Sequence, residues 1–252
     1  MEMPPLFIGT AGWSVPTVHA DRFPDTGSHL ERYGRRLNAV EINSSFYRPH
    51  RHATYERWAR SVPADFRFAV KVPKAITHER RLKDCDGLLD RFADETAGLG
   101  AKLGVLLVQL PPSLAFDKPV AARFFDALRR RSAAALACEP RHPSWFTPEG
   151  AAFLARLRVT RVAADPAPAP GASHPGGWDG LVYYRLHGSP HMYHSSYDSD
   201  TLAALAQALA AHRARGAATW CIFDNTARYA AAGNALALRD AKQGLAPGPA
   251  AS

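Results

Sequence analysis

Apolar runs of strand length recur at eight places along the chain, and segments with helical spacing of apolar residues separate most of them. Strands that alternate with helices are typical of βαβ units, which build parallel sheets. Eight such units in about 250 residues predict an α/β fold, a single (β/α)₈ TIM-type barrel with eight parallel strands. The predicted strands cover residues 6–10, 39–43, 66–72, 104–110, 134–140, 159–165, 181–188 and 218–225.

Several segments between these strands carry the signals that begin and end helices. Ser28 and Glu31 have the spacing of a capping box. Thr147, Pro148 and Glu149 supply a cap, a first-turn proline and an acid at the positive end of a helix dipole. Residues 198–215 place leucines on one stripe before a glycine, which predicts a further helix.

The segment after strand six is irregular. Residues 166–180, PAPAPGASHPGGWDG, are too rich in proline and glycine for a normal helix, so we expect a long loop at the rim of the barrel or over it. A single domain is predicted over residues 5–240. The composition of residues 241–252 predicts a disordered tail.

Polar residues stand near the carboxyl end of almost every predicted strand. Alternate strand residues share a face, and one face of each barrel strand points inward. Barrel enzymes build their active sites at this end, so the pattern predicts a ring of functional side chains. The ring consists of Glu41 and Asn43 on strand two, Lys71 on strand three, Gln109 on strand four, Glu139 on strand five, Asp165 on strand six, Arg185 and His187 on strand seven, and Asp224 with Asn225 on strand eight.

A purely structural interpretation of this ring stays open. Buried carboxylates require partners whether or not they do chemistry, and Lys71 or Arg185 would then only neutralise Glu41, Glu139 or Asp165. Against this interpretation, structural ion pairs have no reason to gather at one end of the strands.

Charge and cysteine content narrow the class of protein. A formal net charge of +8 favours anionic partners, either small molecules or nucleic acid. Three scattered cysteines without a CxxC pair suit buried thiols.

No apolar run reaches the roughly 18 residues of a membrane span, and the first residues do not resemble a signal peptide, so a cytoplasmic location without membrane contact is expected. The sequence gives no indication of oligomeric state.

Ordered motifs along nearly the whole chain resemble those of the YecE-like family, the domain of unknown function 72. The resemblance implies a (β/α)₈-type barrel and leaves the activity open. The motifs are GTAGW (9–13), VEINSSFYR (40–48), FRFAVKVPKAITH (66–78), VQLPPS (108–113), EPRHPSWF (139–146), YYRLHG (183–188), FDNT (223–226) and AGNALAL (232–238).

The ring itself favours metal-free acid–base catalysis, by a hydrolase or a lyase, on a substrate that carries phosphate or carboxylate. Lys71 is the candidate base or imine-forming nucleophile, with Glu41, Glu139, Asp165 and His187 as the other catalytic candidates. No cofactor is predicted. The candidates for substrate binding are Arg141 and Arg185 as anion clamps, Trp13, Tyr47 and Trp145 as stacking rings, and Asn43, Gln109, Asp224 and Asn225 as polar contacts.

Two alternatives remain at this stage. In the first, Glu139, Asp165, His187 and Asp224 bind a divalent metal that assists phosphodiester hydrolysis, as in endonuclease-four-type barrels. In the second, the protein binds nucleic acid or a metabolite without transforming it, and affinity for nucleic acid would then depend on salt.

Overall fold

Eight parallel strand positions, which we call staves, close into a barrel in the computed structural model, which describes residues 3–244. The strands are β1 (Leu6–Ala11), β2 (Ala39–Ile42), β3 (Arg67–Lys71), β4 (Leu103–Gln109), β5 (Ala135–Glu139), β6 (Val159–Arg161), β7 (Ala163–Asp165), β8 (Gly176–Gly177), β9 (Leu181–Leu186) and β10 (Ala218–Phe223).

The two halves of stave six are β6, which pairs with β5, and β7, which pairs with β9. Val162 separates them, and its N–H still donates to the carbonyl of Cys138 on β5 at 2.8 Å. The Thr160 hydroxyl donates to the carbonyl of Leu181 at 2.7 Å and so links β6 to β9. The remaining staves pair in chain order, with β10 beside β1. The predicted eight-stranded barrel is confirmed.

The helices lie outside the barrel, and three begin where their signals predict. Glu31 N–H donates to Ser28 Oγ at 3.3 Å, and Gly150 N–H donates to Thr147 Oγ1 at 3.2 Å. The helix predicted over 198–215 begins after an Asp198 cap. The helices are α1 (His29–Gly34), α2 (His52–Arg60), α3 (Asp86–Thr96), α4 (Lys118–Arg131), α5 (Pro148–Arg156), α6 (Ser199–Ala214) and α7 (Ala230–Gly244).

The segment after β7 is irregular, as predicted, but it does not stay at the rim. Within residues 3–244 no helix joins β7 to β9; instead β8 runs antiparallel to β6, with Gly177 opposite Thr160. This pairing returns the chain to the amino end of the barrel. The prediction of a loop at the rim of the barrel or over it is therefore wrong for residues 176–180. Helix α7 extends to Gly244, inside the predicted tail, and residues 245–252 lie outside the described part of the chain.

None of the helices described between residues 3 and 244 combines the length and the apolarity that crossing a bilayer requires.

Small residues inside the barrel leave room for large rings. Ala39, Ala69 and Ala137 belong to the interior apolar cluster, together with Tyr183 and Trp220. The last two rings stack with their centroids 5.8 Å apart. Each of the three alanines stands two residues before an acid or base on the same strand, so the charged layer lies directly above this apolar layer.

Gly9 and Tyr33 together join β1 to β2. A Cβ at Gly9 would lie 2.0 Å from the carbonyl oxygen of Ala39, so only glycine fits there. The Tyr33 hydroxyl donates to that carbonyl at 2.8 Å and accepts from the N–H of Thr10 at 2.8 Å. The buried phenol therefore satisfies one backbone group on each strand.

Replacing Tyr33 by phenylalanine should lower the free energy of unfolding by about 2 kcal/mol, because two buried backbone groups lose their partner while the ring stays buried. Denaturant unfolding measures this, with Tyr229→Phe as the control, since that side chain is 55% exposed. Equal stability of the two variants would show that the hydrogen bonds of the Tyr33 hydroxyl do not stabilise the fold.

Candidate active site

Charged side chains from five staves meet at the carboxyl end of the barrel and form one buried cluster. We call it the charged cluster. Its members are Glu41 on β2, Lys71 on β3, Glu139 on β5, Arg185 and His187 on and just beyond β9, and Asp224 just beyond β10, with Gln109 on β4 and Arg141 after β5 at its edge.

Arg185 lies at the centre of the charged cluster and is fully buried. Its guanidinium binds both oxygens of Glu41, at 2.7 Å from Nη2 and 2.9 Å from Nε. It also donates to Glu139 Oε2 at 2.6 Å and to Asp224 Oδ2 at 2.8 Å. One cation thus pairs with carboxylates from three staves. It binds Glu41 through two nitrogens, a bidentate geometry that arginine provides and lysine does not.

Glu139 is the most heavily bonded of these carboxylates. Its Oε1 accepts from Gln109 Nε2 at 3.0 Å and from Arg141 Nη2 at 2.8 Å. Burial alone would raise the pKa of Glu139, but Arg185, then His187 and Arg141, hold it well below its ordinary value. The carboxylate therefore stays ionised and is not placed to accept a proton from a substrate.

His187 bridges two of the acids. Nδ1 lies 3.1 Å from Asp224 Oδ2, and Nε2 lies 3.5 Å from Glu139 Oε1. Burial and the adjacent Arg185 push the pKa of His187 down, but the contacts with Asp224 and Glu139 outweigh them and the net pKa is raised. The imidazole is therefore suited to hold a proton near neutral pH.

Lys71 differs from every other basic member of the cluster. Among the described residues its amine makes no hydrogen bond or ion pair, and it lies 4.0 Å from the centre of the Phe46 ring. Burial, and then the charge of Arg185, lower the pKa of Lys71 to about 8, against the opposing pull of Glu41, Glu139 and Asp224. The amine is thus partly neutral at physiological pH.

Two members of the site were missed from the sequence. Tyr183 donates its hydroxyl to Glu41 Oε2 at 2.9 Å, and its position two residues before Arg185 was the available signal. His78 packs edge-on against Phe46 at 5.0 Å, and burial, then Lys71 and Arg141, lower its pKa. It follows β3 in a single π-helical turn, which strand alternation does not describe.

Asp165 does not join the charged cluster, and its predicted position is wrong. Its carboxylate accepts from the Tyr197 hydroxyl at 2.6 Å, in a cavity that also contains Tyr184 and Leu186. Arg161, on the same face of stave six, packs over the Phe146 ring at 4.9 Å. Asp165 therefore faces the helical layer, outside the barrel.

Trp145 is also misplaced in the prediction. It is 1% exposed, and its indole N–H donates to the carbonyl of Leu114 at 3.0 Å, so it packs beneath its loop and is not available to stack on a substrate. Asn225 has a similar internal role. It is buried, and its Nδ2 donates to the carbonyl of Ser195 and to Asn234 Oδ1, both at 2.9 Å.

Three further candidates lie in the loops after β1 and β2. Trp13 packs edge-on against Trp58 of α2, with ring centres 4.9 Å apart. Tyr47 is 72% exposed and packs edge-on against Phe46 at 5.0 Å. Asn43 has a buried carboxamide oxygen with no partner among the described residues. Their predicted contacts with a substrate stay predictions.

The residues present do not fit the proposed divalent metal. Asp165 lies away from the other three candidate ligands, and Glu139 and Asp224 are bound to the guanidinium of Arg185. Across residues 3–244, no group of three or more His, Cys, Asp or Glu side chains is arranged to hold a metal ion.

Replacing Arg185 by methionine should cost about 3 to 5 kcal/mol of stability at pH 7, because three buried carboxylates lose their common cation. Without it, burial raises the pKa values of Glu139 and Asp224, because the charge of Arg185 no longer lowers them. The deficit should then shrink as the pH falls from 7 towards 5, where these groups protonate. Urea unfolding across that range measures the effect, and the exposed Arg60→Met provides the control. If the free energy of unfolding lost in Arg185→Met is the same at pH 7 and pH 5, this prediction is wrong.

Replacing Lys71 by methionine should instead raise stability by about 1 to 3 kcal/mol at pH 7. The pKa of this amine falls from 10.5 in the unfolded chain to about 8 in the folded one. The cost of the buried ammonium is therefore fully present below pH 8 and disappears by pH 10.5. Unfolding at pH 7 and pH 10 tests this. A loss of stability at pH 7 would show that the ammonium supports the fold.

Solved structures share this fold over almost the whole chain. A DUF72 family protein of Enterococcus faecalis superposes with a TM-score of 0.79 at 22% identity, covering 95% of this chain and 96% of that one. A DUF72 family protein of Thermotoga maritima gives 0.75 at 25% identity, covering 93% and 98%. A sugar phosphate isomerase/epimerase of Parabacteroides distasonis gives 0.52 at 12% identity, covering 95% and 94%, a likeness in fold alone.

Curated relatives match a shorter part. UPF0759 protein YecE of Escherichia coli is 31% identical over 143 residues, which are 56% of this chain and 50% of that protein. UPF0759 protein YunF of Bacillus subtilis is 28% identical over 152 residues, 57% of this chain and 53% of that protein. The chain thus spans about half the length of the curated relatives it matches. The family model described as "Protein of unknown function DUF72" matches residues 7–250, and the chain belongs to that family.

Proposed function

We propose that this protein is an enzyme of the lyase type, which uses the amine of Lys71 on a small anionic substrate that carries a carbonyl group. The observation that carries the proposal is the difference between Lys71 and its neighbours. Arg141, Arg185 and His187 all bond to carboxylates, whereas within residues 3–244 the Lys71 amine has no such partner.

The lowered pKa of Lys71 gives this amine its reactivity. With a pKa of about 8, roughly a tenth of the amine is neutral at pH 7, against less than about a thousandth for an exposed lysine. A neutral amine attacks a carbonyl carbon, forms the C–N bond of an imine, and releases the carbonyl oxygen as water. The protonated imine then takes up the electron pair of a bond broken at the adjacent carbon and becomes an enamine. Protonation of the enamine restores the imine, and water hydrolyses it to release the product and the free amine.

The neighbouring groups divide the remaining tasks. Arg141 keeps Nη1 without a bond to the described residues while Nε and Nη2 hold Glu139, so it is placed to bind the anionic group of a substrate. His187, with its raised pKa, is the candidate proton donor. Glu41 and Glu139 are assigned to positioning Arg185, since their oxygens are already bonded.

A lyase of this kind should be trapped by pyridoxal 5′-phosphate, an aldehyde that carries a phosphate, followed by borohydride reduction. At pH 7.5 we expect Lys71 to be labelled first among the six lysines, because its neutral fraction is the largest. Peptide mass spectrometry measures the modified site. Arg141→Gln should slow the labelling of Lys71 by about tenfold, the usual effect of losing one charge-assisted contact.

Lys74 provides the matched control for this experiment. It lies three residues further along the chain, is 49% exposed, and pairs with Glu79 at 3.3 Å. Lys74→Met should leave the labelling rate unchanged, and Lys71→Met should abolish the fast phase. Labelling that favours the exposed lysines and spares Lys71 would overturn the proposal.

A further inference from the structure

A second cavity lies at the opposite, amino end of the barrel. Its volume is about 330 Å³, which is within the range of small-molecule sites. The residues around it stand at the start of β1, at the end of α1, just before β3, and on α7. Its principal lining side chains are Leu6, Ile8, Arg35, Arg36, Phe66 and Arg239.

Arg36 is the unusual member of this cavity. Its Nε is buried without a hydrogen-bond partner, and among the described side chains its guanidinium enters no ion pair. Asp240 is nearby but already bonds to Arg22 at 2.7 Å and to Arg239 Nε at 3.0 Å. A partly buried guanidinium without an anion is costly, and in a folded protein it usually marks a place for one.

The charge and shape of the lining define the ligand that fits. Arg35, Arg36, Arg239 and one carboxylate, Asp65, line the cavity. Arg239 is already paired with Asp240, so Arg35 and Arg36 against Asp65 give the excess of positive charge. Leu6 and Ile8 add an apolar part to the lining, with 8% and 3% of their surface exposed, and Phe66 beside them is fully buried. The fork of a guanidinium matches a phosphate group, and an apolar wall matches a planar or hydrocarbon body attached to it.

We propose that this cavity binds a small organic phosphate, with the phosphate on Arg36 and the body against the apolar wall, where Leu6 and Ile8 keep exposed surface. The site is separate from the charged cluster, because it lies at the other end of the same staves. It does not depend on the proposed chemistry of Lys71.

Isothermal titration of the full chain with inorganic phosphate and with phenyl phosphate tests the proposal. At this cavity phenyl phosphate should bind at least tenfold more tightly than inorganic phosphate, because its ring covers the apolar wall. Arg36→Gln should weaken phenyl phosphate at least tenfold. Arg36→Lys should weaken it less, since the charge remains without the fork. The exposed Arg123→Gln, on α4, should have no effect.

Lys71→Met and Arg141→Gln distinguish this site from the barrel mouth. Both should leave the affinity for phenyl phosphate unchanged. The proposal is overturned if binding survives Arg36→Gln, if it is lost in either mouth variant, or if the two probes bind equally weakly. Binding of an oligonucleotide without binding of phenyl phosphate would also overturn it, in favour of a polyanion surface.

Discussion

One buried guanidinium organises the charged cluster at the mouth of this barrel. Arg185 holds Glu41, Glu139 and Asp224 within 2.6–2.9 Å, and these acids come from three separate staves. Buried carboxylates repel each other and prefer water, so such a group is stable only around a cation that all of them share. The arrangement fixes the ends of β2, β5 and β10 relative to β9, and it holds the pKa values of Glu139 and Asp224 below their ordinary values.

The same arrangement leaves Lys71 as the group with freedom to react. Because the three acids bond to Arg185, the Lys71 amine is attracted by their charge but makes no hydrogen bond to them. The amine lies over the Phe46 ring. The amine is buried and lies close to a permanent cation, and these two effects outweigh the acids and lower its pKa. In the proposed function, Glu41, Glu139 and Asp224 hold Arg185 in place, and Lys71 is the reacting group.

The fold and most of the site were predictable from the sequence, because strands of a closed barrel carry their inward residues at alternate positions. The rule failed for Asp165: both faces of a parallel strand are buried, so apolar residues on stave six did not distinguish inside from outside. The prediction that Trp145 stacks on a substrate failed because tertiary contacts decide how a loop residue packs. The sequence also did not predict which acid pairs with which base, because the stagger of neighbouring strands sets the distances between them.

The most direct test is the titration of Lys71 itself. Protein with lysine labelled by ¹³C at Cε gives one signal per lysine, and Lys71→Arg identifies the signal of interest. The account predicts a pKa near 8 for this amine, and a rise towards the ordinary value in a chain unfolded by urea. A pKa at or above 10.5 in the folded protein would contradict it, because the amine would then be a fully charged partner of the acids and would have no reactive form near neutral pH.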